Sequence, residues 1–376
     1  MAASGNDTTQ RVSAFEFATH ACDLVFGDAY YLPRVPRPSL RDRGNQMEAY
    51  SDAQFLVRYR FTKQTVRELL AMVPLHASSD NRGLTLPPML QLLITLRFYG
   101  SGTFQVVAGD LVNVSQPTVF RTVDAVTRLI ARHLFRDLVH FPRASEYSEV
   151  MKDFYEIARF PGVTGCIDCT HVRVKSPGGD DAEVYRNRKG VFSINVQAIT
   201  GPQLQFFNLV ASWPGSVHDS RIFDNSRARV LYEEHRVPGL LLGDMGYACF
   251  PFLMTPLADP GPKDTPRGRY NKAYIKTRNS VERAFGVWKR RFPCLDMRLQ
   301  HKPRRAIRII TACAALHNLG RLRKEPDPPC STALRRTRSS RTPRTRQPAH
   351  LPPVNAVQDS MTGTRAREIL IQRCFS

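Results

Sequence analysis

No stretch of this 376-residue chain keeps about 18 consecutive apolar residues, so no membrane-spanning helix is expected. The first residues, Met1 to Asp7, lack the basic-then-apolar pattern of a secretory signal. Paired cysteines are scarce as well. The eight (22, 166, 169, 249, 294, 313, 330, 374) are scattered, which suits a reduced, intracellular protein. Cys166 and Cys169 form one C-x-x-C, with Asp168 between them and β-branched residues beyond. A redox motif would open a helix there, and a zinc ribbon would need a second close pair, so both read as packing residues. Acidic charge is the last deficit: 33 Asp+Glu stand against 54 Lys+Arg, for a formal net charge of +21. That excess exceeds what solubility needs and makes nucleic acid the first partner to expect, ahead of an anionic membrane surface.

The apolar fraction of 42% supports a full core, and the length suits two or three domains. Residues 1–50 read as an arm, with a Pro-rich stretch from Tyr30 to Pro38. Residues 51–142 read as helical. Phe55, Tyr59, Val66, Leu69, Leu70 and Val73 recur at helical spacing, and Met89 to Tyr99 is a second apolar helix. Over 103–131 a short helix, a turn at 113–116 and a longer helix follow. Ser115 is placed to cap the second helix, Pro117 fits its first turn, and Val119, Val123, Val126 and Ile130 make its buried stripe. This is the helix-turn-helix pattern, with Gln116, Thr118, Arg121 and Thr122 at its early exposed positions. An ordinary antiparallel helix pair has the same spacing; the net charge favours DNA contact through Arg121.

From about residue 150 the texture changes. Strand signals fall at 163–168, 171–175, 191–199, 204–211 and 239–243. The gaps 218–235 and 250–278 read as helix or loop, and 279–291 and 304–319 as helices. The pattern predicts an α/β domain over 150–320, a mixed sheet flanked by helices. Residues 321–376 carry many arginines among Ser, Thr and Pro, and are expected to stay disordered. Their basic runs suit nuclear localisation, with the cytoplasm as a second compartment.

Four acids stand where packing alone does not ask for them. Asp168 lies in an apolar strand, where a lone carboxylate is costly unless paired or bound to a cation. Asp219 follows the turn Trp213 to His218 and is also placed to cap the next helix. Asp244 ends the apolar run Leu240-Leu241-Leu242-Gly243, the strand end where open α/β sheets bind ligands. Glu282 sits on a helix whose apolar stripe is Val281, Phe285, Trp288 and Phe292. Gly286 leaves the neighbouring face open beside Glu282, with Arg278 one turn before and Lys289 two turns on. On a generic helix a salt-bridge set is the preferred reading of that face. Together the four suit a pair of Mg²⁺ ions about 4 Å apart, because hard cations take oxygen ligands.

These residues fall in blocks that resemble the PIF/Harbinger transposase-derived nucleases, a branch of the DDE superfamily. The blocks are GCIDCTHVRVKSP, YRNRKGVFSINVQA, NLVASWPGSVHDSRIF, LLGDMGY, YNKAYIKTRNSVERAFGVWKRRFPCLD and CAALHN, in order over about 163–318. The resemblance implies an RNase H-like catalytic domain preceded by a helical N-terminal part. It implies Asp168, Asp244 and Glu282 as catalytic acids, with Asp219 of the His-Asp-Ser block as an additional metal ligand. Either Asp219 or Asp244 fits the place of the second acid, and strand topology favours Asp244. Arg278, Glu282 and Lys289 also resemble the arrangement of bacterial insertion-sequence transposases, except that Tyr274 stands one position early. The resemblance further implies Mg²⁺ or Mn²⁺ as cofactor, DNA as substrate bound by Arg278, Lys289 and Arg290, and a Myb-like DNA-binding partner protein. A DNA-binding regulator without turnover, and a partner-binding scaffold, are the competing readings.

Overall fold

The computed structural model describes residues 45–76, 86–103, 114–329 and 361–376, all within one compact unit. Helices come first: α1 (Gln46–Ala49), α2 (Asp52–Tyr59), α3 (Lys63–Met72) and α4 (Pro88–Ser101). Then follow α5 (Gln116–His133), the short α6 (Phe135–Leu138) and α7 (Tyr147–Ala158). Local chemistry fixes their starts. Ser51 and Gln54 close a reciprocal capping box on α2, and the Thr62 hydroxyl caps α3. Ser115 precedes α5 as expected, but its hydroxyl meets Thr118 Oγ1 at 3.0 Å and caps no backbone N–H. Val119, Val123, Val126 and Ile130 are buried on α5. Thr122, expected on the exposed face, is buried too, because α5 packs on both sides, against α4 and against the later α11 (Pro303–Leu322). The first helix of the expected helix-turn-helix, 103–112, lies outside the described residues from 104 on, as does the arm before residue 45.

The sheet is built from β1 (Val163–Arg173), β2 (Ser193–Thr200), β3 (Phe206–Pro214), β4 (Leu240–Leu242) and β5 (Leu253–Met254), in the order β3-β2-β1-β4-β5. The first three strands are antiparallel, and β4 and β5 run parallel to β1. The two strand signals at 163–168 and 171–175 are one strand, paired to β2 from Cys166 through Arg173. β5 lies inside the gap at 250–278, where helix or loop is expected. Helices α8 (Asp219–Asp224) and α9 (Arg227–Glu233) fill the earlier gap. This α/β arrangement, a five-stranded mixed sheet flanked by helices, is consistent with the RNase H-like domain that the resemblance implies.

One long helix, α10 (Pro266–Arg291), crosses the sheet against β1 and β2. It begins thirteen residues before the expected start at 279, where the Thr265 hydroxyl accepts the Gly268 N–H and Pro266 opens the first turn. Its C-terminal end carries Arg291, which is fully buried. The guanidinium lies over the Phe61 ring and donates to the carbonyls of Arg60 (2.9 Å) and Pro326 (3.0 Å). The adjacent Glu325 carboxylate accepts the Thr62 hydroxyl at 2.7 Å and the Thr62 N–H. Arg291 and Glu325 thus tie the α2–α3 junction and the chain after α11 to the end of α10.

The C-terminal segment departs from the expected disorder over 321–376. Residues 321–329 are ordered, and α12 (Met361–Cys374) packs on α10 and β5. Ile371 and Phe375 are buried, the Phe375 ring among Phe160 and Tyr270, and Arg367 donates to Thr255 Oγ1 at 2.8 Å. A few apolar residues suffice because they enter an existing aromatic pocket. Residues 330–360 lie outside the described set.

The Arg291 staple yields a test. Replacing Arg291 with Met removes a buried charge and strands the carbonyls it satisfies, so unfolding free energy should fall by about 3 kcal/mol or more. Urea denaturation of wild type and Arg291→Met measures it.

Candidate metal centre

β1 is buried from Val163 to Ile167 and leaves the core at Asp168. Its parallel neighbour β4 ends opposite Cys166, two residues earlier. Beside Asp168 the sheet therefore opens, and the chain leaving β4 brings Asp244 into the gap. Gly243 lets this chain pass close: a Cβ there would lie 2.9 Å from the Tyr247 ring and 3.2 Å from Ile167. Asp219 arrives from the other side as the first residue of α8, so it does not cap that helix; His218 stands at the cap. One carboxylate oxygen from each of Asp168, Asp219 and Asp244 lies within 4.8 Å of the others.

Each acid is fixed by its surroundings. The Cys169 N–H donates to Asp168 Oδ1 at 2.8 Å, and the Gly246 N–H to Asp244 Oδ1 at 2.9 Å. Asn195 Nδ2 donates to Asp219 Oδ1 at 2.8 Å, and Gln197 Nε2 to the Asp219 carbonyl at 3.1 Å. Asn195 and Gln197 are themselves buried on β2, opposite His171 and Cys169. Gly215 keeps the approach to Asp219 tight, since a Cβ there would meet Ser193 Oγ at 2.3 Å. Below Asp244, the buried Tyr274 hydroxyl on α10 donates to the carbonyls of Gly243 and Met254, pinning the ends of β4 and β5.

Arg278 faces the acids from α10. Its Nη2 lies 2.9 Å from Asp168 Oδ2 and its Nη1 2.9 Å from Glu282 Oε1. The Asp168 and Arg278 side chains are 15% and 16% exposed, whereas Glu282 is 57% exposed. Burial pushes the Asp168 carboxyl up to about 6; Arg278 pulls against that shift, and Asp244 and Asp219 add to it. Burial alone would lower Arg278, but Asp168 and Asp244 outweigh it and raise it. A half-buried, mutually repelling set of oxygen donors suits a hard divalent cation. On the two amides that hold Asp219, the oxygens Asn195 Oδ1 and Gln197 Oε1 are buried and have no hydrogen-bond partner. The residues fit a hard divalent cation.

The other expected residues are placed differently. Glu282 is not in the group of three acids; it lies one turn beyond Arg278 and is held by it. Lys289 Nζ donates to the His171 carbonyl at 3.0 Å on β1, and burial lowers the Lys289 ammonium. Arg278, expected on nucleic acid, is paired with two acids. Arg290 lies one turn beyond Gly286 on α10, its Nη1 3.3 Å from where a Cβ of that glycine would stand. Arg121 stands on the exposed face of α5, whose main packing partners are α4 and α11. Cys166 and Cys169 are free thiols, as the packing reading expects, and Cys169 Sγ lies 3.5 Å from Tyr247 Oη. Sequence reading missed Asn195, Gln197 and Tyr247. Two amides alternating in an otherwise apolar strand were the available signal.

Comparison with known proteins shows the family. A family model described as "DDE superfamily endonuclease" matches residues 167–318, which span all four acids. The protein named "Putative nuclease HARBI1" from Homo sapiens is 33% identical over 282 residues, covering 73% of this chain and 79% of its own length. The chain belongs to the Harbinger-derived DDE superfamily endonucleases. The Bos taurus protein of the same name matches at 33% identity over the same shares. "Protein ALP1-like" from Arabidopsis thaliana is 27% identical over 257 residues, covering 64% of this chain and 62% of its own length. No solved structure matches the chain.

The raised Asp168 carboxyl has a consequence for stability. Its folded value of about 6 lies above its ordinary 3.8, so the metal-free fold is penalised once Asp168 ionises, fully above about pH 6 and not below about 3.8. Asp168→Asn should therefore stabilise the metal-free protein at pH 7.5, by on the order of 2 kcal/mol, and by only about a third of that at pH 4.5. Thermal unfolding at the two pH values in EDTA checks the sign.

Proposed function

We propose that this protein is a nuclease that hydrolyses DNA phosphodiester bonds with the help of Mg²⁺ or Mn²⁺ held by Asp168, Asp219 and Asp244. The observation that carries the reading is the convergence of three carboxylates, from β1, α8 and the end of β4, within 4.8 Å. Bound there, two such cations would activate water or a 3′-hydroxyl and stabilise the leaving oxygen of the phosphodiester. The chain's own residues do the positioning. Asn195 and Gln197 orient Asp219, the Gly246 N–H orients Asp244, and the Cys169 N–H orients Asp168. Glu282, exposed on α10 and paired with Arg278, lies outside the three-acid group and in this reading holds Arg278 at the mouth of the site. Arg290, Lys289 and Arg121 supply positive charge to the nucleic acid, and a net charge of +21 supports association with a polyanion. In this reading the protein works in the nucleus, and a Myb-like partner protein supplies target recognition.

The ion pair between Arg278 and Asp168 favours one rival, a DNA-binding regulator without turnover, because it occupies an acid that a cation would need. Cleavage of supercoiled plasmid in Mn²⁺ separates them. Wild type should nick the plasmid, and Asp244→Asn should lower the rate by about 10³-fold, several kcal/mol of lost transition-state stabilisation. Equal cleavage by a folded Asp244→Asn protein would sink the nuclease reading at this site; no cleavage by wild type would leave the regulator.

A further inference from the structure

We propose that Arg278 is an exchangeable counter-ion: it holds Asp168 in the metal-free protein and moves onto a DNA phosphate when the strand arrives, so that DNA and divalent cation bind with positive cooperativity. This rests on the reading of Asp168, Asp219 and Asp244 as the cation site.

Both oxygens of Asp168 are committed in the metal-free protein. Oδ1 accepts the Cys169 N–H at 2.8 Å, and Oδ2 takes Arg278 Nη2 at 2.9 Å. The first bond comes from the strand's own backbone and persists in any state of the site. The second comes from a side chain that can leave. A guanidinium stays charged at any working pH, so it cannot make room by losing a proton; it must move, or it opposes the cation across the same carboxylate.

The geometry gives Arg278 somewhere to go. Its other nitrogen, Nη1, is bound at 2.9 Å to Glu282, four residues along the same helix and far more exposed than Asp168. The guanidinium thus bridges an inner, buried acid and an outer, solvated one. Its Nε is buried and has no partner, so its five N–H donors are not all used in this position. A phosphodiester group arriving beside Glu282 would offer its two non-bridging oxygens as acceptors in the fork geometry that guanidinium prefers. Drawn to it, Arg278 would release Asp168 Oδ2 to the cation while keeping Glu282 as its pivot. Nearby positive charge on Lys189 and Arg188, both felt at His171 beside the acids, would keep a strand at this mouth.

Linkage makes the idea measurable apart from cleavage. If DNA relieves Asp168, the cation must in turn strengthen DNA binding by the same factor. Mn²⁺ affinity is measured by titration calorimetry at fixed salt for wild type, Arg278→Gln and Arg278→Lys, each with and without a short DNA duplex. In wild type the duplex should tighten Mn²⁺ binding about tenfold, within the usual range of site-to-site coupling. Arg278→Gln should bind Mn²⁺ about tenfold tighter than wild type without DNA, and gain nothing further from the duplex. Arg278→Lys keeps the charge and should stay within about threefold of wild type. Equal Mn²⁺ affinity in wild type and Arg278→Gln would overturn the proposal, as would an equal duplex effect in both, which would mean that DNA phosphates carry the ion themselves. Absence of Mn²⁺ binding in every protein would overturn the metal-site reading and this proposal with it. Should Arg278→Gln not fold by circular dichroism, wild type still decides: no duplex effect on Mn²⁺ affinity overturns the proposal.

Discussion

Three carboxylates held within one ligand sphere repel one another, and everything around them answers that repulsion. Water cannot screen Asp168, which is mostly buried, so its carboxyl rises to about 6 even with a guanidinium beside it. The scaffold opposes the tendency to splay apart with short, directional contacts. Two backbone N–H groups hold Asp168 and Asp244, and a buried amide holds Asp219. The sheet makes the meeting possible. Because β4 stops opposite Cys166 while β1 runs on to Arg173, Asp168 faces a gap beyond the three residues of β4.

α10 is the second constraint. It carries Tyr274 under the strand ends, Arg278 against Asp168, Lys289 against the carbonyl of His171, and Arg291 into the helical layer. A rotation of this one helix would disturb the acids and the anchoring of α2 and α3 together. Dispersed anchors of this kind hold a site rigid while leaving one residue, Arg278, bound on two sides by acids of very different exposure. The C-terminal α12 adds to the same layer by closing Phe375 over Tyr270 and Phe160.

Much of this was legible in the sequence. The alternation of Ile167, Val172 and Val174 around Asp168, and the run Leu240 to Leu242 before Asp244, marked both strands and both acids. The stripe Val281, Phe285, Trp288 and Phe292 marked the buried face of α10. The first half of that helix escaped because Arg267, Arg269, Lys272 and Lys276 lower its apolar signal, although Thr265-Pro266 is a helix start and Tyr270, Ala273, Tyr274 and Thr277 keep helical spacing. β5 escaped because two paired residues carry no period. α12 escaped because its binding pocket is made by distant residues, Tyr270 and Phe160. At the site, spacing could place Arg278 and Glu282 on one face but could not say that Arg278 turns inward to Asp168, since that depends on how α10 crosses β1. Nor could it group Asp219 with Asp168 and Asp244 while leaving Glu282 outside.

The central claim is that Asp168, Asp219 and Asp244 form one cation site. Anomalous diffraction from crystals of the protein soaked in Mn²⁺ tests it most directly. The account predicts a manganese peak bonded to oxygens of these three residues, with Arg278 drawn away from Asp168. Manganese bound elsewhere on the chain, with the three acids unchanged and Arg278 still on Asp168, would contradict it.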